Sequence, residues 1–328
     1  MSLSMRIGLG QFNELTDEMC QFIKQIGCDD FLMNTPRMSG DHQWEVADLA
    51  ALKAKAEQYE LRLMALENVP ISFYDKIMLG LNRREQQLEY MATTVRNMGK
   101  VGIPILGYHW IPNSVWRTPE PATVRGGAKA SRFEFAPHVD APLSFGREFT
   151  AEEMWDNYCW YLERILPVAE EAGVRLALHP DDPPVPTLGG VARIFGNFES
   201  FKRGLDTFDS PNHGLDFCMG CWSEMGGHDN VVKGLSYFVP QQKIVYIHFR
   251  DVKGTPDNFH ECFIDDGQVN PFEIVRLLKK LGFDGFMIPD HVPATVGDSP
   301  WHHRGRAHCV GYMKALIQAV DQLHPKTP

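Results

Sequence analysis

Short runs dense in apolar residues alternate along this chain with longer segments whose apolar positions recur every three or four residues. The short runs are read as strands at 6–12, 29–34, 61–68, 104–110, 175–180, 214–220, 244–250 and 285–291. The longer segments are read as helices. Thr16 caps the first, which closes near Gly27; others cover 45–59, 83–98, 151–172, 198–205, 271–281 and 306–323. Gly173 suits the left-handed residue that ends a helix. The run IVYI at 244–247 is apolar throughout instead of alternating, which marks a strand buried on both faces.

Strands alternating with helices imply a parallel sheet, and eight of them imply closure. The expected fold is α/β, a single (β/α)8 TIM barrel over 5–325, with residues 1–4 read as an addition ahead of a natural start at Met5. The rival, an open doubly wound sheet, lacks a G-x-G-x-x-G after the first strand. Segment 113–150, rich in Pro, Gly, Arg and Ser, is too long for a plain connection and is read as an excursion after the fourth strand, a candidate lid.

Composition narrows the function. The chain has 328 residues, 44% hydrophobic and 23% charged, with a net charge of −10. Such a charge brings no general attraction to nucleic acid or anionic membrane. An anionic substrate would need local positive charge. No apolar run approaches the roughly 20 residues of a membrane span, and the start MSLSMRIGLG lacks the apolar core of a signal peptide. The expected compartment is the cytoplasm. Seven scattered cysteines are expected as reduced thiols, not a disulfide framework.

Candidate chemistry gathers at the strand ends. His179 ends the fifth strand, Cys218 the sixth, His248 the seventh, and Asp290 with His291 the eighth. In a barrel these distant positions converge on the carboxyl-end mouth, where two imidazoles, a thiolate and a carboxylate suffice for a divalent cation. Each alone is more often a hydrogen-bonded structural residue; four on successive strands argue for a metal centre. Within CMGC, Cys218 on the strand is taken as the ligand, and Cys221, expected in the following loop, as packed behind it. Glu67 and His109 end the third and fourth strands. Arg250 follows His248 by two and so shares its face; its fork suits a carboxylate, or a salt bridge with Asp251 or another loop acid. His260 and Glu261 are placed in the loop after the seventh strand. HPDDPP is read as a rigid turn that holds His179 and exposes Asp181 and Asp182. His302 and His303 lie in a loop after the eighth strand, where a plain surface role is the alternative.

The ordered series ENVP, YDKIMLGLNRREQQLEYMATTVRNMGKVGIPILGYHWIP, HPDDPP, GLDFCMG, IHFRDVKG, FHE and PDH resembles the mannonate dehydratase family, within the xylose-isomerase-like barrels. The resemblance implies Mn²⁺-dependent dehydration of D-mannonate to 2-keto-3-deoxygluconate, in hexuronate breakdown. It puts the metal ligands on His179, Cys218, His248 and Asp290. Fe²⁺, Co²⁺ or Zn²⁺ would also suit these donors. His291 is then the leading acid/base, Arg250 the holder of carboxylate or enediolate, and Glu67, His109, Asp181, His260 and Glu261 contacts to a small anionic sugar acid. A homodimer is the expected assembly. The chain departs from the family in Trp222 after the ligand cysteine, in Val292-Pro293 after PDH, and in His303, which stands where the family carries a tyrosine. A sugar or sugar-acid isomerase or epimerase on the same barrel, or a homologue altered toward another substrate, is the alternative.

Overall fold

The computed structural model describes residues 5–323. The reading of residues 1–4, and the last two residues of the 5–325 span, fall outside them. Eight strands close into a barrel: β1 (Arg6–Leu9), β2 (Asp30–Asn34), β3 (Arg62–Glu67), β4 (Ile105–Tyr108), β5 (Arg175–Leu178), β6 (His213–Cys218), β7 (Ile244–His248) and β8 (Phe286–Ile288). Each pairs in parallel with its sequence neighbours, and β8 closes on β1. The expected (β/α)8 barrel is therefore the fold. The strands are shorter than the apolar runs, because their last residues turn away from the ladder at the mouth.

The helices run in chain order: α1 (Asp17–Gln25), α2 (Val46–Gln58), α3 (Arg84–Val101), α4 (Ala151–Ala172), α5 (Phe198–Thr207), α6 (Met219–Glu224), α7 (Gly227–Phe238), α8 (Pro271–Leu281) and α9 (His303–Leu323). Thr16 caps α1 by accepting the Met19 N–H, and Gly173 ends α4 in the left-handed region at φ 67°. The barrel interior is filled by Leu32, Ala65, Ile105, Ala177, Val245, Tyr246, Phe286 and Ile288. A larger apolar layer lies between barrel and helices.

Three helices depart from the expected pattern. Helices α6 and α7 fill a stretch for which no helix was expected, since Gly220, Gly226, Gly227 and Ser223 dilute its helical period. Tertiary packing overrides that propensity: Trp222 is buried and stacks on Phe217 with ring centroids 4.8 Å apart. It faces the helix layer, so this bulky residue does not crowd the mouth. Helix α9 begins at His303, three residues earlier than expected, because Asp298 accepts the Arg304 and Gly305 N–H groups.

The excursion carries structure of its own. Residues 132–134 form the edge of a three-stranded antiparallel sheet with 258–261 and 252–255. A bridge from Lys129 to Ala294 and another from Phe149 to Val191 tie it to the loops after β8 and β5. No helix among the described residues is long and apolar enough to cross a membrane.

Candidate metal centre

The last residues of β6 and β7 and the first residue after β5 bring Cys218, His248 and His179 together, their ligand atoms all within 4.8 Å of one another. Each imidazole is prepared by its other nitrogen. His179 Nδ1–H donates to the Pro180 carbonyl at 2.7 Å, which leaves Nε2 as the free lone pair. His248 Nε2–H donates to Glu67 Oε2 at 2.8 Å, and its buried Nδ1 has no hydrogen-bond partner. Asp290 Oδ2 lies 3.7 Å from that Nδ1. A buried, unpartnered nitrogen is costly unless something binds it. His248 Nδ1, with the donors around it, fits a metal ligand.

The electrostatics agree. Burial alone would keep Cys218 a thiol, but the Cys221 S–H, Arg250 and the two imidazoles outweigh it and hold its pKa well below the usual range. Burial opposes charge on His179, yet Cys218 and Asp216 raise its pKa to about 10. Burial likewise opposes charge on His248, and Asp216, Glu67 and Asp290 raise its pKa. The Cys218 thiolate and the Glu67 and Asp290 carboxylates thus gather around the two imidazoles as buried anions that call for positive charge, which protons on the rings or a divalent cation bring.

Glu67, expected at the substrate, instead holds His248. It is buried and accepts four hydrogen bonds: Gln11 and Asn34 amides on Oε1, both at 3.0 Å, and Tyr246 and His248 on Oε2. Gln11 and Asn34 were not singled out, because amides at strand ends carry no distinctive pattern.

Arg250 is corrected more sharply. It is not free to clamp a substrate; the salt-bridge alternative holds, with other acids, Asp182 and Asp290 of the loops among them, in place of Asp251. It is buried, with Nη1 on Glu224 and Glu261, Nη2 on Asp182 and the Cys221 sulfur, and Nε 2.9 Å from Asp290. Asp251 is engaged by Ser223 and the Val252 and Val269 N–H groups. Cys221 lies on α6, not in a loop, and α6 can lie flush on the guanidinium because a Cβ at Gly220 would sit 2.2 Å from Nη1. Asp181 and Asp182, expected exposed, are buried. Asp181 accepts the Phe195 N–H at 2.6 Å. Asp182 takes a bidentate pair from Arg117, both bonds 2.7 Å, an excursion residue that sequence alone did not mark.

His291 stands at the edge of this cluster, with its side chain 38% exposed and Nδ1–H donating to Glu261 Oε1 at 2.8 Å. Burial opposes its charge, but Asp290 and Glu261 raise its pKa. Burial pushes His109 down to about 3, and its Nδ1 accepts the Ile111 N–H, so the neutral ring carries its proton on Nε2. Two candidates are not brought in. Glu261 and His260 lie on a strand, not in a loop, and successive residues of a strand face opposite sides, so His260 points away from the Glu261–Arg250 contact. His303 is packed between Phe22 and Trp301, at ring distances of 4.7 and 4.8 Å, and meets Ser299 through Nδ1.

Known proteins share this fold and match along much of this sequence. The family model described as D-mannonate dehydratase (UxuA) matches residues 13–142 and 135–327. Mannonate dehydratase 2 of Halalkalibacterium halodurans is 27% identical over 95% of this chain and 96% of its own. A mannonate dehydratase of Streptococcus equi subsp. zooepidemicus is 28% identical over 87% and 86%. The crystal structure of mannonate dehydratase from Streptococcus suis superposes with a TM-score of 0.89 at 25% identity, covering 99% of this chain and 96% of that one. A D-tagatose 3-epimerase-like protein, at 18% identity and TM-score 0.66, shares the fold. With its ligand nest at the mouth of a closed barrel and the family match along nearly all its length, this chain belongs to the mannonate dehydratase family, within the xylose-isomerase-like TIM-barrel superfamily.

Proposed function

We propose that this protein is a metal-dependent dehydratase of a sugar acid, with D-mannonate, giving 2-keto-3-deoxygluconate, as the substrate that the family favours. The observation that carries this reading is the His179–Cys218–His248 group with Asp290 beside it, its two imidazoles each held by a partner on the far nitrogen.

These four residues would hold the cation, Mn²⁺ by family. When bound, it supplies electrostatic stabilisation for the negative charge that develops beside the substrate carboxylate as the C2 proton leaves. The chain's own groups do the rest. Glu261 accepts the Nδ1–H of His291 and so leaves Nε2 as the nitrogen that moves a proton at the substrate. His291 Nε2 takes the C2 proton, and Asp290 and Glu261 favour the protonated ring so formed. The ring then gives that proton to the departing C3 hydroxyl, so that water leaves and the imidazole returns to its starting state. His109, kept neutral, offers Nε2–H to a substrate hydroxyl. Arg250 and Arg117 keep the surrounding carboxylates paired, so that Asp290 and Glu261 stay in place.

The test is a panel of aldonates with Mn²⁺, scanned for 2-keto-3-deoxy acids. Turnover of D-mannonate that is lost on chelation with EDTA and in Cys218→Ser is the expected result. Full Mn²⁺ binding with no turnover of D-mannonate, and turnover of another aldonate, would overturn the assignment of substrate.

A further inference from the structure

Beside the metal centre, at the ends of β1 and β2, opens a cleft of about 550 Å³ that no step above uses. Its lining includes Gln11, Phe12, Glu14, Asn34, Thr35 and Trp301. We propose that this cleft is a subsite for the hydroxylated carbon chain of the substrate, a neutral polyol segment. The proposal rests on the sugar-acid reading and extends it to chain length.

Three observations support it. The cleft adjoins the support of the metal centre through one side chain: Gln11 Nε2 lies 3.4 Å from His248 Nε2, the outer nitrogen of that ligand, and donates to Glu67 at 3.0 Å. On this proposal, a substrate held at the metal ligands by its acid end extends its remaining carbons along this wall. Second, the lining has the wrong charge for a carboxylate and the right groups for hydroxyls. It has no cationic side chain, and its charged member is Glu14. The Gln11 and Asn34 amides and the Thr35 hydroxyl form a chain, with Asn34 donating to Gln11 Oε1 at 2.7 Å and accepting from Thr35 Oγ1 at 2.9 Å. Each keeps donor or acceptor capacity beyond these bonds, as a hydroxyl, both donor and acceptor, requires. Phe12 and Trp301, edge to face at 5.7 Å, add an apolar wall for the C–H faces of a sugar.

Third, the backbone is held in costly conformations here. Gln11 and Thr35 have φ of 66° and 43°, in the left-handed region that side-chain-bearing residues avoid, β-branched ones above all. Such strain persists where surrounding contacts impose it, and it clusters at binding sites. The contacts are present: Thr35 N–H donates to the Glu67 carbonyl at 2.7 Å, and Trp301 Nε1–H to the Gln11 carbonyl at 2.7 Å.

The test uses unreactive probes, so it does not depend on turnover. Mn²⁺-loaded protein is titrated by calorimetry with D-mannitol, six carbons, and with erythritol, four carbons. The expected result is tighter binding of the hexitol, by about tenfold, as one or two added hydrogen bonds would give. Trp301→Leu should erase that difference with Mn²⁺ affinity kept; Asn34→Ala should erase it too, with the fall in Mn²⁺ affinity that loss of its bond to Glu67 brings. Equal affinity for the two alditols, or variants that weaken both alike together with Mn²⁺ affinity, would overturn the subsite and reduce Asn34 to a support for Glu67. If the hexitol preference holds but D-mannonate is not turned over, the subsite stands and only the assigned reaction falls.

Discussion

Two anionic nests lie side by side at the mouth, joined by the C-x-x-C segment. His179, Cys218 and His248 form one; Asp182, Cys221 and Glu224 form the other. Both are built of metal-competent side chains, and both are buried. They differ in what neutralises them. Arg250 and Arg117 fill the second with guanidinium groups, so its positive charge is covalently part of the chain. The first has imidazoles whose outer nitrogens are engaged, and the inner nitrogen of His248 has no partner, open to a cation from solution. Ligand chemistry alone does not separate a metal site from a structural cluster; the presence or absence of a fixed cation does.

The sharpest way to break this comparison is to remove the fixed cation. Arg250→Ala leaves Glu224 without its cation and takes one partner from each of Asp182, Glu261 and Asp290 in the interior, and is expected to cost about 3–5 kcal/mol in urea unfolding. A loss below about 1 kcal/mol would mean that the second nest is hydrated. Next in size, Cys218→Ser is expected to lower Mn²⁺ affinity by more than about a hundredfold, beyond what loss of a merely orienting residue does; calorimetric titration with the metal measures it. Glu67→Gln leaves the ligands in place but weakens the acceptor at His248 Nε2, and a fall of about ten- to hundredfold in Mn²⁺ affinity is expected by the same titration. The smallest effect belongs to Cys221→Ser. A hydroxyl can still meet Arg250, so metal affinity should change by less than about tenfold. A Cys221→Ser effect equal to that of Cys218→Ser would erase the distinction between the nests.

Much of this was legible in the chain. Eight apolar runs separated by helical periods specify a closed parallel barrel, because strands buried on both faces have few other arrangements. The convergence of His179, Cys218, His248 and Asp290 followed from the same count, since strand ends in a barrel share one rim. What stayed hidden depends on neighbours distant in sequence. Helix α6 forms despite weak propensity because Trp222 finds a stacking partner in Phe217. Asp181 and Asp182 look like exposed turn residues, and only the arrival of Arg117 and the Phe195 N–H makes their burial tolerable.

Sequence alone therefore determined which side chains reach the mouth, since chain order and a two-residue strand period decide that locally. Only the tertiary structure decided what each does there. Arg250 reads as a substrate clamp until four acids close around it, and Glu67 as a substrate contact until His248 takes its oxygen. The physical reason is that a buried charge takes its role from the partner that satisfies it, and those partners come from other strands, from α6 and from the excursion.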